Sequence, residues 1–334
     1  MSELEYKNVF ITGGAGYVGS ALVPYLINKG YHVSVYDLYL YGDVFKDIEN
    51  HPNLTQIKGD IRNKKMLVDA TKNCDALIHL ACISNDPSYE LDPDLGRSIN
   101  YDAFFNVLDA AIKNNVKRFI YASTSSVYGI KDKKNVTEDD ICKPLTDYSK
   151  FKVECENVLL EDKNRDMQKV ILRPATVCGY ARRLRLDLVV NVLTIHALIN
   201  KKIKIFGGTQ LRPNINIKDR VRVYETLLEA DGEKIDGEIF NAGYQNLSVE
   251  EIGRLVKGTI DNEEIELEYI STDDIRSYHI NSGKIKKVLG FQPKYDIKDA
   301  IQSLHQAYND GCIVDGLNNP LYHNIKMMQN IGLK

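Results

Sequence analysis

The amino-acid sequence predicts an α/β fold, in which a doubly wound parallel sheet is joined to a smaller, discontinuous α/β domain. Two observations support this prediction. Strand and helix patterns alternate with short links through the first half of the chain, as in parallel sheets covered by helices on both faces. After Pro174 the alternation becomes irregular, which indicates a second structural unit.

The strands of the first half are short apolar runs, and several are continuous, as expected for strands buried on both faces. Strands are predicted at 9–11, 31–36, 53–59, 76–81, 118–123, 169–174, 204–206, 237–243 and 265–270. Helices are predicted at 21–27, 64–71, 99–114, 148–161, 188–199, after 248 and from 298. We assign residues 1–175 to the first domain and residues 176–334 to the second. Residues 219–245 are predicted to return to the first domain, because they include a further sheet strand.

A glycine-rich segment, residues 12–19, follows the first predicted strand. Gly13 allows a tight turn, Gly16 leaves room for a pyrophosphate, and Gly19 lets the next helix lie close on the strand. The N-terminus of that helix offers free N–H groups and the positive end of its dipole to phosphates. Ordinary turns also contain glycines, but this motif lies between a predicted strand and a predicted helix. It therefore favours a dinucleotide-binding site.

Asp37 ends the second predicted strand, about 20 residues after the glycines. A carboxylate at this position accepts hydrogen bonds from a ribose 2′-OH and repels a 2′-phosphate. No Arg follows within the next few residues. The sequence therefore predicts NAD(H) rather than NADP(H) as the cofactor.

Tyr148 and Lys152 are four residues apart in a predicted helix, so they share one face. A free Tyr has a pKa of about 10, and a nearby ammonium stabilises the phenolate and lowers that pKa. Ser123 and Thr124 end the preceding strand, and a hydroxyl there can orient a reacting alcohol. A surface Tyr with a solvated Lys is the alternative. The glycine motif earlier in the chain favours an acid–base site, with Tyr148, Lys152 and Thr124 as its catalytic residues.

Charge and composition exclude several other functions. The formal net charge is −3 and no basic block is present, so nucleic acid is not an expected partner. No apolar stretch reaches about 18 residues and no signal peptide is visible, so we expect a cytoplasmic protein without a membrane span. The six cysteines form no C-x-x-C pair and no zinc-finger spacing, which predicts reduced thiols and no metal site.

The chain resembles the extended short-chain dehydrogenase/reductases, the nucleotide-sugar epimerase and dehydratase family, over most of its length. The matching markers are the glycine motif, residues 60–61, 79–81, Asn100, 123–129, Tyr148 with Lys152, and residues 173–174. The resemblance implies a Rossmann domain with tightly bound NAD, a nucleoside-diphosphate sugar in the second domain, and a homodimer built from the helices at 100–114 and 148–161. The cofactor-binding residues are then Gly13, Gly16, Tyr17, Val18, Gly19, Asp37, Asp60, Ile61, Leu80, Ala81, Ser123, Tyr148 and Lys152.

Ser125 and Ser126 indicate which reaction is catalysed. In the family's 4,6-dehydratases an Asp–Glu pair stands at these two positions. Serine hydroxyls do not serve as the acid and base of water elimination at neutral pH, so dehydration is not expected. What remains is redox chemistry at a secondary alcohol, most simply the sugar C4. Oxidation alone gives a 4-keto sugar, and return of the hydride to the other face gives a 4-epimer. The motifs do not distinguish a 4-dehydrogenase from a 4-epimerase.

Residues 172–180, with residues 183–191, resemble a bacterial subgroup that oxidises GDP-heptoses at C4 for capsule and other surface polysaccharides. Arginine is suited to bidentate phosphate binding. The substrate-binding residues implied by the resemblance are Ser84, Ser125, Arg183, Arg185, Asn191, Arg212 and Arg276. A solvated loop is the alternative for the arginines at 182–185, and a plain loop role is the alternative for Ser84.

A non-catalytic NAD(H) sensor or scaffold is the alternative from another functional class. Sensors of this fold typically lose the Tyr or the Lys. Tyr148, Lys152 and Thr124 are all present here, so the sequence favours an enzyme.

Overall fold

The computed structural model describes residues 5–131, 135–272, 277 and 279–332. Its strands are β1 (Asn8–Thr12), β2 (His32–Asp37), β3 (Leu54–Lys58), β4 (Ala76–His79), β5 (Arg118–Ala122), β6 (Gln168–Pro174), β7 (Thr176–Cys178), β8 (Lys202–Phe206), β9 (Leu211–Asn216), β10 (Glu238–Ala242), β11 (Gln245–Ser248) and β12 (Glu266–Ile270). The predicted strands of the first half therefore occur within one or two residues of their expected ends.

The helices are α1 (Tyr17–Asn28), α2 (Lys64–Ala70), α3 (Asp86–Tyr89), α4 (Pro93–Arg97), α5 (Ala103–Lys113), α6 (Asp147–Glu161), α7 (Val189–Asn200), α8 (Ile217–Glu229), α9 (Val249–Ile260), α10 (Gly283–Leu289), α11 (Ile297–Asn309) and α12 (Asn324–Ile331). The continuous helix predicted at 99–114 differs, because it begins with a π-helical turn at Ser98–Asp102. Within this turn Asn100 bonds both the N–H and the carbonyl of Ile83, which ties the helix to the loop after β4. Within the described ranges, every helix is too short or too polar to be a candidate membrane span.

A seven-stranded parallel sheet in the order β10-β6-β5-β4-β1-β2-β3 forms the centre of the molecule. The predicted doubly wound α/β fold is confirmed. Helices α1 and α8 pack over one face, and α2, α5 and α6 pack over the other, each above a buried apolar cluster. Strand order reverses between β1 and β4, and the crevice at such a switch point is where open α/β sheets bind ligands.

Smaller sheets lie beside this layer. One has the order β11-β9-β7, and the other pairs β12 with β8. Helices α7, α9 and α11 pack together over a separate apolar cluster. The chain returns to the central sheet through β10, which pairs in parallel with β6. The boundaries of the two proposed domains remain a prediction.

Candidate active site

A cavity of about 440 Å³ opens at the carboxyl ends of β1, β2, β4, β5 and β6. Every site residue predicted from the sequence lines this cavity, with two exceptions. Asn191 lies outside it, and Arg276 lies outside the described residues. Folding therefore brings the glycine motif, the Tyr–Lys pair and the predicted substrate residues into one place.

The glycine turn has the geometry that a dinucleotide requires. Gly13 has a φ of +72°, and a Cβ on it would lie 2.5 Å from the backbone N of Ala81. A Cβ on Gly16 would meet only Gly13 O, at 3.2 Å, so its other side is free of protein. The role expected for Gly19 needs correction. A Cβ on Gly19 would overlap the backbone of Gly14 in the turn, rather than the strand, so this glycine lets the helix approach the turn.

Asp37 and Asp60 provide the carboxylates of the cavity wall. Asp37 accepts hydrogen bonds from the N–H groups of Ala15 (2.9 Å) and Tyr39 (2.8 Å), which fix its orientation at the end of β2. Burial raises the pKa of Asp37 above its ordinary value. Burial also acts on Asp60, but the guanidinium of Arg62, 2.6 Å away, holds the pKa of Asp60 below its ordinary value.

Helix α6 places Tyr148 and Lys152 in the cavity. A capping box between Thr146 and Ser149 begins the helix just before Tyr148. The Lys152 ammonium donates a hydrogen bond to the carbonyl of Ala122 at 2.8 Å and lies 6.0 Å from the centre of the Tyr148 ring. Tyr148 and Lys152 are both buried. The cation is thus fixed beside the phenol by the last residue of β5.

Two hydroxyls after β5 have different environments. Thr124 Oγ1 lies 2.9 Å from Ser126 Oγ and lines the cavity next to Ser125. The Ser123 hydroxyl instead donates a hydrogen bond to the buried carboxylate of Glu156. Ser123 lines the cavity, but its proton is used by Glu156, so its hydroxyl is left only as an acceptor toward a ligand. Its predicted contact with the cofactor remains a prediction.

Glu156 belongs to a buried network that joins α6 to the central sheet. The Arg173 guanidinium donates to its carboxylate at 3.0 Å through Nε and at 2.5 Å through Nη2. Nη1 of Arg173 donates to the hydroxyl of Tyr128, which donates in turn to Asn241 on β10. Burial opposes the charge of Arg173, but Glu156 raises the pKa of Arg173 above its ordinary value.

The arginines of residues 182–185 do not form a uniformly solvated loop. Arg182 is at the surface and pairs with Asp47. Arg183 is 4% exposed and stacks 3.7 Å from the centre of the Tyr41 ring, and burial lowers its pKa to about 10. Arg185 is 8% exposed. The solvated-loop alternative therefore applies to Arg182 alone.

Ser84 is held in the cavity wall by Arg185 and by the C-terminal helix. Arg185 binds Asp187 through Nε (2.9 Å) and Nη2 (3.1 Å), and its Nη1 donates to Ser84 Oγ at 3.1 Å. Asn324, the first residue of α12, donates to the same hydroxyl oxygen at 2.9 Å. Ser84 is thus more than a plain loop residue.

Asn191 is not placed to bind a substrate, contrary to the prediction. Its side chain is fully buried, and both ends of its amide are occupied by protein. Oδ1 accepts the N–H of Gly179 at 2.9 Å, and Nδ2 donates to the hydroxyl of Tyr17 and to the carbonyl of Arg185. The Tyr17 hydroxyl also bonds Gly179 O, so Tyr17 and Asn191 connect the glycine turn to the loop after β7.

Two buried polar residues of the cavity wall, Arg220 and Asn324, were not among the predicted site residues. Arg220 on α8 is 2% exposed, lines the cavity, and donates to the hydroxyl of Tyr224 at 2.6 Å. Its position shortly after the carboxyl end of β9 was the available signal. Asn324 is 3% exposed and lines the cavity as well, but no motif marks it.

His79 is a buried strand residue, as the sequence interpretation favoured. It is 3% exposed and bonds Thr12 Oγ1 at 2.6 Å. Burial lowers its pKa to about 3, so the ring is neutral at physiological pH.

The doubly wound sheet, the glycine turn and the buried Tyr–Lys pair define a dinucleotide-binding protein of the short-chain dehydrogenase/reductase class. Residues 9–243 match the NAD dependent epimerase/dehydratase family. The chain belongs to that family, and its cofactor is NAD. The residues present fit this cofactor, because the turn at Gly13 and Gly16 leaves space for a pyrophosphate and Asp37 presents an acceptor beside it.

Relatives of similar length include nucleotide-sugar and glycan enzymes. The low-salt glycan biosynthesis protein Agl12 of Haloferax volcanii is 27% identical over 90% of this chain and 98% of its own. The UDP-glucose 4-epimerase of Lactobacillus helveticus is 27% identical over 88% of this chain and 94% of its own. The structure of UDP-glucose 4-epimerase from Thermotoga maritima with UDP-glucose has a TM-score of 0.82 and 26% identity, over 91% of this chain and 99% of that one. A further match, the uncharacterized protein y4nG of Sinorhizobium fredii, is 32% identical, but this chain spans only 43% of its length.

Proposed function

We propose that this protein is an NAD-dependent oxidoreductase that acts at the C4 hydroxyl of a nucleoside-diphosphate sugar, as a 4-dehydrogenase or a 4-epimerase. The observation that carries the proposal is the meeting of Tyr148, Lys152 and Thr124 in the cavity that also contains the glycine turn. The two UDP-glucose 4-epimerases among the relatives support the reaction class. The glycan biosynthesis relative supports a role in surface-polysaccharide synthesis, with GDP-heptose as the substrate suggested by residues 172–191.

In this mechanism Tyr148 removes the proton of the C4 hydroxyl, directly or through Thr124. Lys152 stabilises the phenolate electrostatically, because its ammonium is held beside the ring by the Ala122 carbonyl. The glycine turn and Asp37 would hold NAD, which would supply the acceptor for the hydride of C4. Tyr148 and Lys152 are buried, which strengthens the charge interaction between them.

The same geometry supports redox chemistry over water elimination. Ser125 is 2% exposed, and Ser126 is held by Thr124 through its N–H and its hydroxyl. Neither side chain supplies the carboxylate acid or base that a 4,6-dehydratase needs at these positions. Structures of 4,6-dehydratases share the fold at 22–23% identity, which leaves the reaction to be decided by the site residues.

We assign the diphosphate of the substrate to the arginine side chains of the cavity. Arg183, Arg185 and Arg212 all line the cavity and supply the guanidinium groups of this assignment. Arg276 remains a proposed phosphate or ribose contact. A homodimer through α5 and α6 is also proposed, because Phe105 (39%) and Leu160 (36%) are large apolar side chains exposed on these helices.

The first experiment incubates the purified protein, without added dinucleotide, with GDP- and UDP-linked hexoses and heptoses, and follows the products by NMR. An inverted C4 centre after many turnovers identifies an epimerase that retains its NAD. A 4-keto product limited to one per active site, with NADH left bound, identifies a dehydrogenase that needs a second oxidant.

Tyr148→Phe is the matched variant, because it removes only the phenolic oxygen. It should lose turnover of whichever sugar reacts while still binding dinucleotide. Full turnover by this variant would refute the assigned base. A protein that converts no sugar, and whose dinucleotide only alters the binding of a partner, would be a sensor.

A further inference from the structure

The hydroxyl oxygen of Ser84 has both of its acceptor positions filled by protein donors. Arg185 Nη1 donates to it at 3.1 Å, and Asn324 Nδ2 donates to it at 2.9 Å. A serine hydroxyl has two acceptor lone pairs and one proton, and a guanidinium only donates. The direction of the Arg185 bond is therefore fixed by chemistry alone.

The orientation of the Asn324 amide is fixed by the same reasoning. Its Oδ1 accepts a hydrogen bond from Nη2 of Arg183, which has no acceptor capacity, so Nδ2 must face Ser84. Nδ2 also lies 3.3 Å from the Ser84 carbonyl, and the Asn324 N–H donates to Asp187 at 3.2 Å. The first turn of α12 is thus anchored through both the side chain and the backbone of Asn324.

With both acceptor positions filled, the Ser84 hydroxyl can form a further hydrogen bond only by donating its proton. The side chain is partly exposed and lines the cavity, and among the described residues no acceptor for this proton is present. The guanidinium of Arg185 donates to the hydroxyl, and that of Arg183 binds the other end of the Asn324 amide, so a cationic ligand group is disfavoured there and an oxygen acceptor is favoured.

We propose that Asn324, on the C-terminal helix, is a positioning residue that makes Ser84 a hydrogen-bond donor to an oxygen of the bound sugar. The inference rests on the proposed function for the identity of its ligand. It extends the site to residue 324, well beyond the 9–243 segment that matches the family. The Ser84 hydroxyl contacts the sugar, and Asn324 acts through it.

Asn324→Asp tests this arrangement, because it keeps the side-chain size and the acceptor for Arg183 but replaces the amide donor by a second acceptor. The Ser84 proton then turns toward the new carboxylate and is withdrawn from the sugar. We expect NAD-loaded protein to bind GDP-mannose or UDP-glucose about 10-fold more weakly in calorimetry. Binding of GDP and UDP, which lack the sugar, should be weakened clearly less, because only the effect of the added charge on Arg183 and the diphosphate remains.

Ser84→Ala should cause the same loss, and the double variant should lose no more than Ser84→Ala alone, because Asn324 acts through this hydroxyl. Asn330→Asp is the control, since it makes the same substitution at an exposed position of α12 and should bind like the wild type. Wild-type affinity in Asn324→Asp, or losses that simply add in the double variant, would overturn the inference. A loss that is equal for GDP and UDP alone would assign the hydroxyl to a phosphate instead and would also overturn it.

Thermal unfolding without ligand separates this inference from the proposed function. In the wild-type background the Ser84 hydroxyl can turn to satisfy the carboxylate of Asn324→Asp. In the Ser84→Ala background Arg183 still binds one carboxylate oxygen, but the other faces the backbone carbonyl of residue 84 and has lost the hydroxyl donor. The same substitution should therefore lower Tm further. If no nucleotide sugar binds, the proposed function fails. Equal Tm changes in the two backgrounds would show that the Ser84 hydroxyl does not turn toward residue 324, and would refute the inference whatever the ligand is.

Discussion

Glu156→Gln should destabilise the protein strongly, because it breaks a charge pair that has no access to water. Glu156 is 1% exposed and Arg173 is 4% exposed. Two guanidinium nitrogens of Arg173 and the hydroxyl of Ser123 donate to the carboxylate of Glu156. The substitution keeps the shape but leaves Arg173 buried without a counter-charge.

The expected size of the effect follows from the burial. Removal of one partner of a buried pair costs about 3–5 kcal/mol. With an unfolding entropy of about 2.1 cal/mol/K per residue, the 334 residues give about 0.7 kcal/mol/K, so Tm should fall by about 4–7 °C. Calorimetry or near-ultraviolet circular dichroism measures this shift.

Two further variants show whether the lost charge pair is the cause. Glu161→Gln makes the same substitution at an exposed position of the same helix and should change the stability by less than about 0.5 kcal/mol. Replacing Glu156 and Arg173 together by Leu and Met should restore much of the lost Tm, because no unpaired charge remains. A Glu156→Gln protein whose Tm lies within about 1 °C of the wild type would refute the reasoning.

Three more predictions follow from single residues of the site and sheet. Asp37→Ser should weaken NAD binding about 10- to 100-fold in calorimetry, because it removes a charged hydrogen-bond acceptor; unchanged affinity would contradict the assigned ribose contact. Gly19→Ala should lower NAD affinity by about 10-fold or more, because its Cβ would overlap the Gly14 carbonyl oxygen, whereas Gly258→Ala meets no atom within 4 Å and should bind NAD normally. Burial lowers the pKa of His79 to about 3 in the folded protein from an ordinary value of 6.5, so between these values the unfolded chain binds a proton that the folded chain does not. Stability should therefore fall as the pH drops below about 6.5, by up to about 1.4 kcal/mol per pH unit, and urea unfolding at a series of pH values should show a smaller fall in His79→Gln.

The sheet and the glycine turn could be predicted from the sequence because their determinants are local. Each central strand is a short apolar run followed by a helix pattern. These two local features are enough to predict a parallel strand that is buried on both faces. The turn at Gly13 is determined by one positive φ and one close contact with Ala81. Tyr148 and Lys152 share a helix face by spacing alone. These features do not depend on which distant segment packs beside them.

Asn191 shows where local reasoning fails. A polar residue after an arginine-rich loop has the composition of a phosphate site, and its sequence neighbours give no sign that it is buried. In the folded chain its amide is occupied by Gly179, Tyr17 and Arg185. Its role is therefore set by tertiary contacts, and tertiary contacts likewise determine that the Ser123 hydroxyl donates to Glu156.

The direction of a single hydroxyl proton is a still finer property of the fold. Ser84 could act as a donor or as an acceptor, and the sequence around it is equally compatible with both roles. Arg185 and Asn324 decide between them, and they come from a loop and from a C-terminal helix far along the chain. Because both are donors toward Ser84, the hydroxyl is left to donate. If Ser84 donates to the sugar as proposed, specificity depends on the anchoring of α12 through Asn324 as well as on the residues that touch the sugar. Substitutions at Asn324 should then alter substrate affinity while leaving the Tyr148 chemistry intact.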